Sequence, residues 1–287
     1  MTYCVGLLLD KGLVMASDSR TNAGVDYISS YSKLHVVQPA PDRIFMLLAA
    51  GSLSTTQELL NRIQRDLDQS LNAKPSPYQQ TPGVTLLNVN YMFEAATYIG
   101  QLNLAIQNEH SAVSRMSGAS MEASFILGGQ IAGQEPELFL IYPQGNFIHA
   151  TEETPYFQIG ESKYGKSVLD TIAMPSMSLE DGARMCMASL VATARANLTV
   201  APPFEVAIYP TDTLMLSQRS KLEADSTELL TMHHAWESAI RLAFRSLPPF
   251  SWESAQSQVQ PQSQVRPMQP PMQPSQLQEQ QPSETVA

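Results

Sequence analysis

A threonine at the second position of the chain carries two reactive groups once the initiating methionine is removed. Methionine aminopeptidases remove Met1 when the next residue is small, and Thr2 meets that requirement. A free α-amine titrates at about 7.7 to 8.0, so near neutral pH it can take the proton of the Thr2 hydroxyl directly or through a water. Thr2 is therefore a candidate nucleophile that brings its own general base.

A predicted hairpin places an acidic side chain beside this threonine. Apolar, β-prone runs over Tyr3–Leu9 and Leu13–Ala16 are joined by the turn signal Asp-Lys-Gly, a pattern that predicts two antiparallel strands. The second strand ends at Asp18, which the hairpin returns to the neighbourhood of Thr2. Lys33 begins the next predicted strand and is the nearest candidate for a cation that lowers the pKa of the hydroxyl.

A glycine at a strand end is the candidate donor for the oxyanion. The predicted strand "RIFMLLAAG" ends at Gly51, just before a predicted helix. A backbone N–H at a glycine can approach a substrate carbonyl without obstruction from a Cβ atom. We therefore expect Gly51 to lie near the carbonyl that Thr2 would attack.

The elements that must position these residues follow from the hydrophobic pattern, which alternates between strand and helix periods. After the hairpin, strands are predicted over "SKLHVV" and "RIFMLLAAG", and helices over about Ser54–Leu71 and Asn88–Ala112. The remaining predicted elements are strands in "ASFILGGQ" and "PELFLIYPQGNFIHA", a helix capped by Ser178, strands in "FEVAIYP" and "TLMLSQ", and a closing helix over about Ser226–Arg245.

This order of elements identifies the fold class. A parallel βαβ fold would alternate strands and helices singly, and an all-β sandwich would lack the long helices. The order predicts an α+β fold in which two antiparallel sheets pack face to face and helices cover their outer faces.

The composition shifts sharply near the end of the chain. From Pro248 onwards the sequence is rich in Gln, Pro and Ser, as in "QPPMQPSQLQEQQPSE". Such a segment has too few apolar side chains to offset the entropy lost on ordering. We therefore divide the chain into a folded domain over 1–247 and a disordered tail over 248–287.

Composition also excludes several classes of function. The 287 residues contain 17 Lys and Arg against 27 Asp and Glu, for a formal charge of −10, and a nucleic-acid partner would require clustered cations. No run reaches the length of a membrane span, and no basic segment precedes the first apolar stretch, so no leader is expected.

The cysteine and histidine content bears on cofactors and on cellular location. Two cysteines, Cys4 and Cys186, form no disulfide framework, and no Cys/His spacing is typical of a zinc site. We expect no metal, no cofactor and a cytoplasmic location.

The segments around the candidate residues together resemble a known family. They are "TYCVGLLLDKGLVMASDSRTNAG", Lys33 within "GVDYISSYSKL", the glycine of "LAAGS", "QIGESKYGKSVLD" and "RANLTVAPPFE". On these segments the chain resembles the proteasome β-type branch of the N-terminal nucleophile hydrolases. Within that branch it is most similar to the bacterial ancestral β-subunit family, Anbu, over roughly residues 2–247.

The resemblance implies a four-layer αββα sandwich and a threonine-type peptidase acting on a peptide or other amide. It implies Thr2 as nucleophile, Asp18 as orienting carboxylate and Lys33 as the lysine that lowers the nucleophile's pKa. It also implies self-assembly of the subunits into a ring or an open spiral. No docking motif for an ATPase partner is evident, so that partner is left open.

Two downstream segments differ from the usual β-subunit pattern. A Gly-Ser-Gly-Ser-like turn is replaced here by "GESK" over 160–163, and an Arg-Asp-Ala-Tyr-Ser segment by "RANLT" over 195–199. Glu161 and Thr199 are the candidate supporting residues at these places, with Thr199 a candidate to orient the Thr2 amine. Ala196 takes the place of the aspartate, and Asn197 lies beside it.

Two alternative functions follow from these differences. One is an oligomeric scaffold that keeps the fold with weak or absent catalysis. The other is an amidohydrolase that acts on small γ-glutamyl or amino-acid amides. Retention of Met1 would favour the scaffold, and substrate profiling separates the amidohydrolase from a peptidase.

Overall fold

The computed structural model of the protein describes residues 2–22, 28–72 and 83–256. The chain divides into two compact units, 1–240 and 241–287, and the division falls inside the last long helix. The sequence-based division at residue 247 stays a prediction.

Twelve strands lie in the described part of the chain. They are β1 Tyr3–Leu9, β2 Gly12–Asp18, β3 Arg20–Asn22, β4 Ile28–Ser30, β5 Leu34–Ala40, β6 Arg43–Gly51, β7 Ala123–Ile131, β8 Glu137–Ile141, β9 Phe147–His149, β10 Tyr156–Gly160, β11 Phe204–Pro210 and β12 Gln218–Leu222. Two five-stranded sheets have the orders β10-β1-β2-β11-β12 and β5-β6-β7-β8-β9, and β3 pairs with β4 separately. All recorded pairings are antiparallel.

Seven helices accompany these strands in the described residues. They are α1 Leu53–Asn72, α2 Met92–Glu109, α3 Ser111–Ser117, α4 Lys166–Ile172, α5 Leu179–Ala196, α6 Thr227–Arg245 and α7 Ser251–Gln256. The predicted tail has a short helix, α7, at a place where no element was expected, and residues 257–287 lie outside the described part.

Three clusters of buried apolar side chains define the layers. One lies between the two sheets and includes Met15 and Tyr209 from the first sheet and Met46 and Ile126 from the second. A second cluster joins the outer face of the first sheet to α4 and α5. A third joins the outer face of the second sheet to α1 and α2. The predicted αββα sandwich is confirmed.

The first hairpin has the predicted form because both of its strands are apolar on both faces. β1 and β2 pair from Cys4 opposite Ser17 to Leu9 opposite Gly12, and nearly every residue in both strands is buried. Each strand therefore contributes to two cores, one between the sheets and one under the helices. This double burial fixes the register at which β2 ends beside the start of β1.

One strand was predicted at the wrong place, and several short elements were missed. The segment "TLMLSQ" was predicted as a strand, whereas β12 begins only at Gln218. Asp212 and Leu214 have φ angles of 63° and 50°, in the left-handed region that a strand does not use. Elements β3, β4, β10 and α4 are too short to give a clear periodic signal.

The N-terminus of α5 agrees with its predicted cap and supports a stability prediction. The Ser178 hydroxyl accepts the Asp181 N–H at 3.0 Å, and Ser178 has extended backbone angles. Ser178→Ala should lower the free energy of unfolding by about 1 kcal/mol, because a helix N–H loses its acceptor. Urea denaturation measures this, with Ser167→Ala, an exposed serine inside α4, as the matched control. Equal stability of wild type and Ser178→Ala would contradict the assignment.

Candidate active site

The β1–β2 hairpin brings Asp18 to the residue that follows the threonine. Asp18 ends β2 and is fully buried. Its Oδ1 accepts the backbone N–H of Tyr3 at 2.9 Å. This bond ties the carboxylate to the N-terminal end of β1, directly beside Thr2.

Lys33 reaches the same carboxylate oxygen from the other sheet. It immediately precedes β5, and its Nζ donates to Asp18 Oδ1 at 2.7 Å and to the carbonyl of Arg20 at 2.6 Å. The guanidinium of Arg20 in turn donates to the carbonyl of Leu198 at 2.9 Å. The ammonium group is thus held by one carboxylate and one carbonyl oxygen.

Burial makes this ion pair strongly interdependent. Only 7% of the Lys33 side chain and none of the Asp18 side chain is exposed. Burial raises the pKa of Asp18, and the charge of Lys33 together with its hydrogen bonds acts against that rise. A charge in such surroundings is tolerated only while its partner is present. Asp18 and Lys33 therefore hold each other in place.

The backbone of the threonine is held from a second direction, by the end of β10. The carbonyl of Thr2 accepts the N–H of Glu161 at 2.7 Å. Gly160 has a φ of 83°, and a Cβ atom there would lie 1.9 Å from the Thr2 oxygen. Only a glycine permits this approach, so the "GESK" segment supports the N-terminal strand through its backbone.

Glu161 and Thr199 are joined by a residue that sequence reasoning did not assign to the site. The Asn197 amide donates to Glu161 Oε2 at 2.9 Å, and Asn197 Oδ1 accepts the Thr199 hydroxyl at 2.6 Å. Thr199 thus connects to the Thr2 backbone through Asn197 and Glu161. Its direct action on the Thr2 amine stays a prediction. The position of Asn197 beside Ala196, where β subunits carry an aspartate, was the available signal.

A cavity of about 480 Å³ opens beside these groups. Thr2, Lys33 and Gly51 all line it. Gly51 has a φ of 112°, and a Cβ atom there would lie 2.3 Å from the Glu122 carbonyl oxygen. The close approach of the end of β6 to the backbone of Glu122, just before β7, therefore requires a glycine at position 51. The predicted role of Gly51 as a donor to the oxyanion is compatible with this structural requirement.

The described ranges also bear on two other features, metal sites and membrane-spanning helices. They contain no cluster of three or more His, Cys, Asp or Glu side chains able to hold a metal ion. No helix among them is long and apolar enough to span a membrane.

Comparison with known proteins places the chain in a family. No family model matches the chain, and no curated protein gives a significant match. Anbu from Yersinia bercovieri is 39% identical in sequence, with a TM-score of 0.76, and the match covers 87% of this chain and 98% of that one. The chain belongs to the Anbu (ancestral β-subunit) family.

Two further Anbu structures give the same result. The Gly-1 mutant of Anbu from Hyphomicrobium sp. strain MC1 is 38% identical over 87% of this chain and 99% of that chain, with a TM-score of 0.77. Anbu from Pseudomonas aeruginosa, solved as a helical assembly, is 35% identical over 88% and 99%, with a TM-score of 0.77. The family predicted from sequence is confirmed, and Anbu proteins are relatives of proteasome β subunits.

The interdependence of the buried pair gives a prediction for this Anbu chain. Asp18→Asn should lower the free energy of unfolding by roughly 3 to 5 kcal/mol, because Lys33 then stays buried without its carboxylate. Denaturant titration measures the change. Asp170→Asn is the matched control, since it removes an exposed carboxylate paired with Lys166 and should leave stability nearly unchanged. Similar effects of the two substitutions would contradict the account.

Proposed function

We propose that this Anbu chain is a threonine-type peptidase or amide hydrolase that uses Thr2 as its nucleophile after removal of Met1. One observation carries the proposal. Lys33 and the Tyr3 N–H share Asp18 Oδ1 at 2.7 and 2.9 Å, and Thr2 and Lys33 line the same cavity. A buried cation beside a candidate N-terminal nucleophile is what lowers the pKa of a hydroxyl.

In the first step the Thr2 hydroxyl oxygen attacks the carbonyl carbon of the substrate amide. The free α-amine of Thr2 takes the hydroxyl proton and passes it to the leaving nitrogen as the C–N bond breaks. Lys33 stabilises the negative charge that develops on the Thr2 oxygen, and Asp18 keeps the ammonium group oriented. The products are a free amine and an ester between the acyl group and Thr2.

In the second step a water molecule attacks this ester. The α-amine accepts the proton of the water and returns a proton to the Thr2 oxygen, releasing a carboxylic acid. In both steps the N–H at Gly51 is the proposed donor to the oxyanion, which such groups typically stabilise by about 3 kcal/mol. Glu161 and Thr199, joined by Asn197, support the Thr2 backbone.

The cavity favours a substrate with a neutral group beside the scissile bond. Apart from Lys33 and His35, its walls combine small and apolar residues with uncharged amides and hydroxyls. These lining residues are Ala49, Ala50, Leu53, Leu60, Thr56, Gln57 and Asn61. A volume of about 480 Å³ lies in the usual range for ligand sites. Peptides are the proposed substrates, and small γ-glutamyl amides are the alternative.

We extend the proposal to self-association, on the basis of a relative, and to cellular location, on the basis of the two free cysteines. The Pseudomonas aeruginosa relative forms a helical assembly, so self-association into an open spiral or a ring is proposed for this chain. Cys4 and Cys186 are free and buried, which fits a reducing cytoplasm. An ATPase partner is left open.

Hydrolysis of a fluorogenic peptide-amide library by protein with a native N-terminus tests the proposal. Thr2→Ala should lower kcat/KM by at least about a thousandfold, because the nucleophile is removed. Thr2→Ser keeps both the hydroxyl and the amine and should stay measurably active. Thr171→Ala, on the exposed face of α4, is the matched control and should equal wild type.

The outcomes separate the candidate functions. Activity unchanged in Thr2→Ala contradicts the mechanism. Turnover of γ-glutamyl amides but not of longer peptides favours the amidohydrolase. A folded, assembled protein without any turnover favours the scaffold.

A further inference from the structure

A buried carboxylate outside the machinery described above lies between the two sheets. Glu205 belongs to β11, where Val206 and Ile208 face the helices while Ala207 and Tyr209 face the second sheet. Because side chains alternate along a strand, Glu205 shares the inward face with Ala207 and Tyr209. Only 6% of its side chain is exposed.

Glu205 and its partner Arg219 contact the residues on either side of Lys33, Glu205 through Ser32 and Arg219 through Leu34. Glu205 Oε2 accepts the Ser32 hydroxyl at 3.0 Å and Nη2 of Arg219 at 3.3 Å. The same Nη2 donates to the carbonyl of Leu34 at 3.0 Å. Lys33 therefore lies between two residues that the Glu205–Arg219 pair holds from the first sheet.

The segment that carries Lys33 needs such an anchor. Among the strands of the described residues, β5 lies at the edge of the second sheet and pairs with β6 alone. At its beginning, the carbonyl of Lys33 accepts the Ala49 N–H at 3.1 Å, which holds one side of the backbone. The contacts of Glu205 and Arg219 hold the other side.

Glu205 also lies next to the carboxylate partner of the lysine. It is paired in register with Ser17, and its Oε1 lies 3.4 Å from the hydroxyl of Ser19. These two residues flank Asp18. One side chain thus touches the neighbours of both members of the buried ion pair.

The energetics favour a role beyond stability. Burying a carboxylate has a large desolvation cost, and apolar residues of similar volume often stabilise a core as well or better. Arg219 is 45% exposed, so its pairing with Glu205 recovers only part of that cost. The cost of burying the Glu205 carboxylate is therefore better explained by a role in fixing the position of Lys33 than by a contribution to stability.

We propose that Glu205, together with Arg219, is a positioning residue that holds the segment Ser32–Leu34 so that the Lys33 ammonium reaches Asp18 and Thr2. The role in catalysis rests on the proposed function. The positioning of Lys33 is a property of the fold and can be measured separately.

The test combines labelling kinetics with crystal structures. A β-lactone probe acylates Thr2 as its ring ester opens, and intact mass gives the maximal rate kinact and the half-saturating concentration KI. Glu205→Gln should lower kinact roughly tenfold with KI little changed, because a misplaced lysine impairs the chemical step more than binding. Crystal structures should show the Lys33 Nζ to Asp18 Oδ1 distance lengthened in the variant.

Further variants keep the test decisive. Arg219→Gln, at a half-exposed position, should give the same loss and replaces Glu205→Gln if that variant does not fold. Arg219→Lys should recover part of kinact. The double variant Glu205→Gln with Arg219→Gln should be no slower than either single one, since both act on one segment. Glu223→Gln, an exposed carboxylate near the end of β12, is the matched control and should equal wild type.

The outcomes distinguish failure of this inference from failure of the proposed function. If wild type is labelled and Glu205→Gln is labelled equally fast, the positioning role is overturned and the proposed function stands. An unmoved Lys33 in the crystal structures overturns it too. If wild type is not labelled but Lys33 shifts in Glu205→Gln, the positioning stands and the function of Thr2 is overturned.

Discussion

The ion pair between Asp18 and Lys33 is the interaction on which the rest of the site depends. Its two members come from different sheets, since Asp18 ends β2 in the first sheet and Lys33 precedes β5 in the second. Both side chains are almost fully buried, so each requires the other to remain charged. The sandwich must therefore close with its sheets in one relative position for the pair to form. The geometry of the candidate site therefore depends on how the two sheets pack.

The supports of Thr2 extend this dependence to distant parts of the chain. The hairpin supplies Asp18 locally, but the Thr2 carbonyl is held by Glu161 at the end of β10. Asn197, after α5, is bonded to Glu161. The elements meet only because β10 and β11 flank the first hairpin in one sheet. Thr2, the proposed nucleophile, is thus held by a fixed framework, which would reduce the reorganisation that the proposed reaction requires.

The local parts of this framework could be predicted from sequence, and the long-range parts could not. The β1–β2 hairpin has two buried strands and a short turn, so its pairing and the return of Asp18 follow from pattern alone. Gly51 could be predicted as the end of a strand before a helix. By contrast, Asn197 and Glu205 gave no periodic signal of their role, because their partners lie about 36 and 173 residues away in sequence. Single-sequence patterns do not report such pairings.

One measurement tests the central claim most directly. The protein is produced without an N-terminal tag, its intact mass is determined before and after incubation with a hydroxyl-directed β-lactone, and any adduct is mapped by peptide fragmentation. The account predicts a chain that lacks Met1 and carries a single adduct on the Thr2 hydroxyl. A chain that retains Met1, or one that lacks Met1 and acquires its adduct elsewhere, would contradict Thr2 as the nucleophile that the Asp18–Lys33 pair serves.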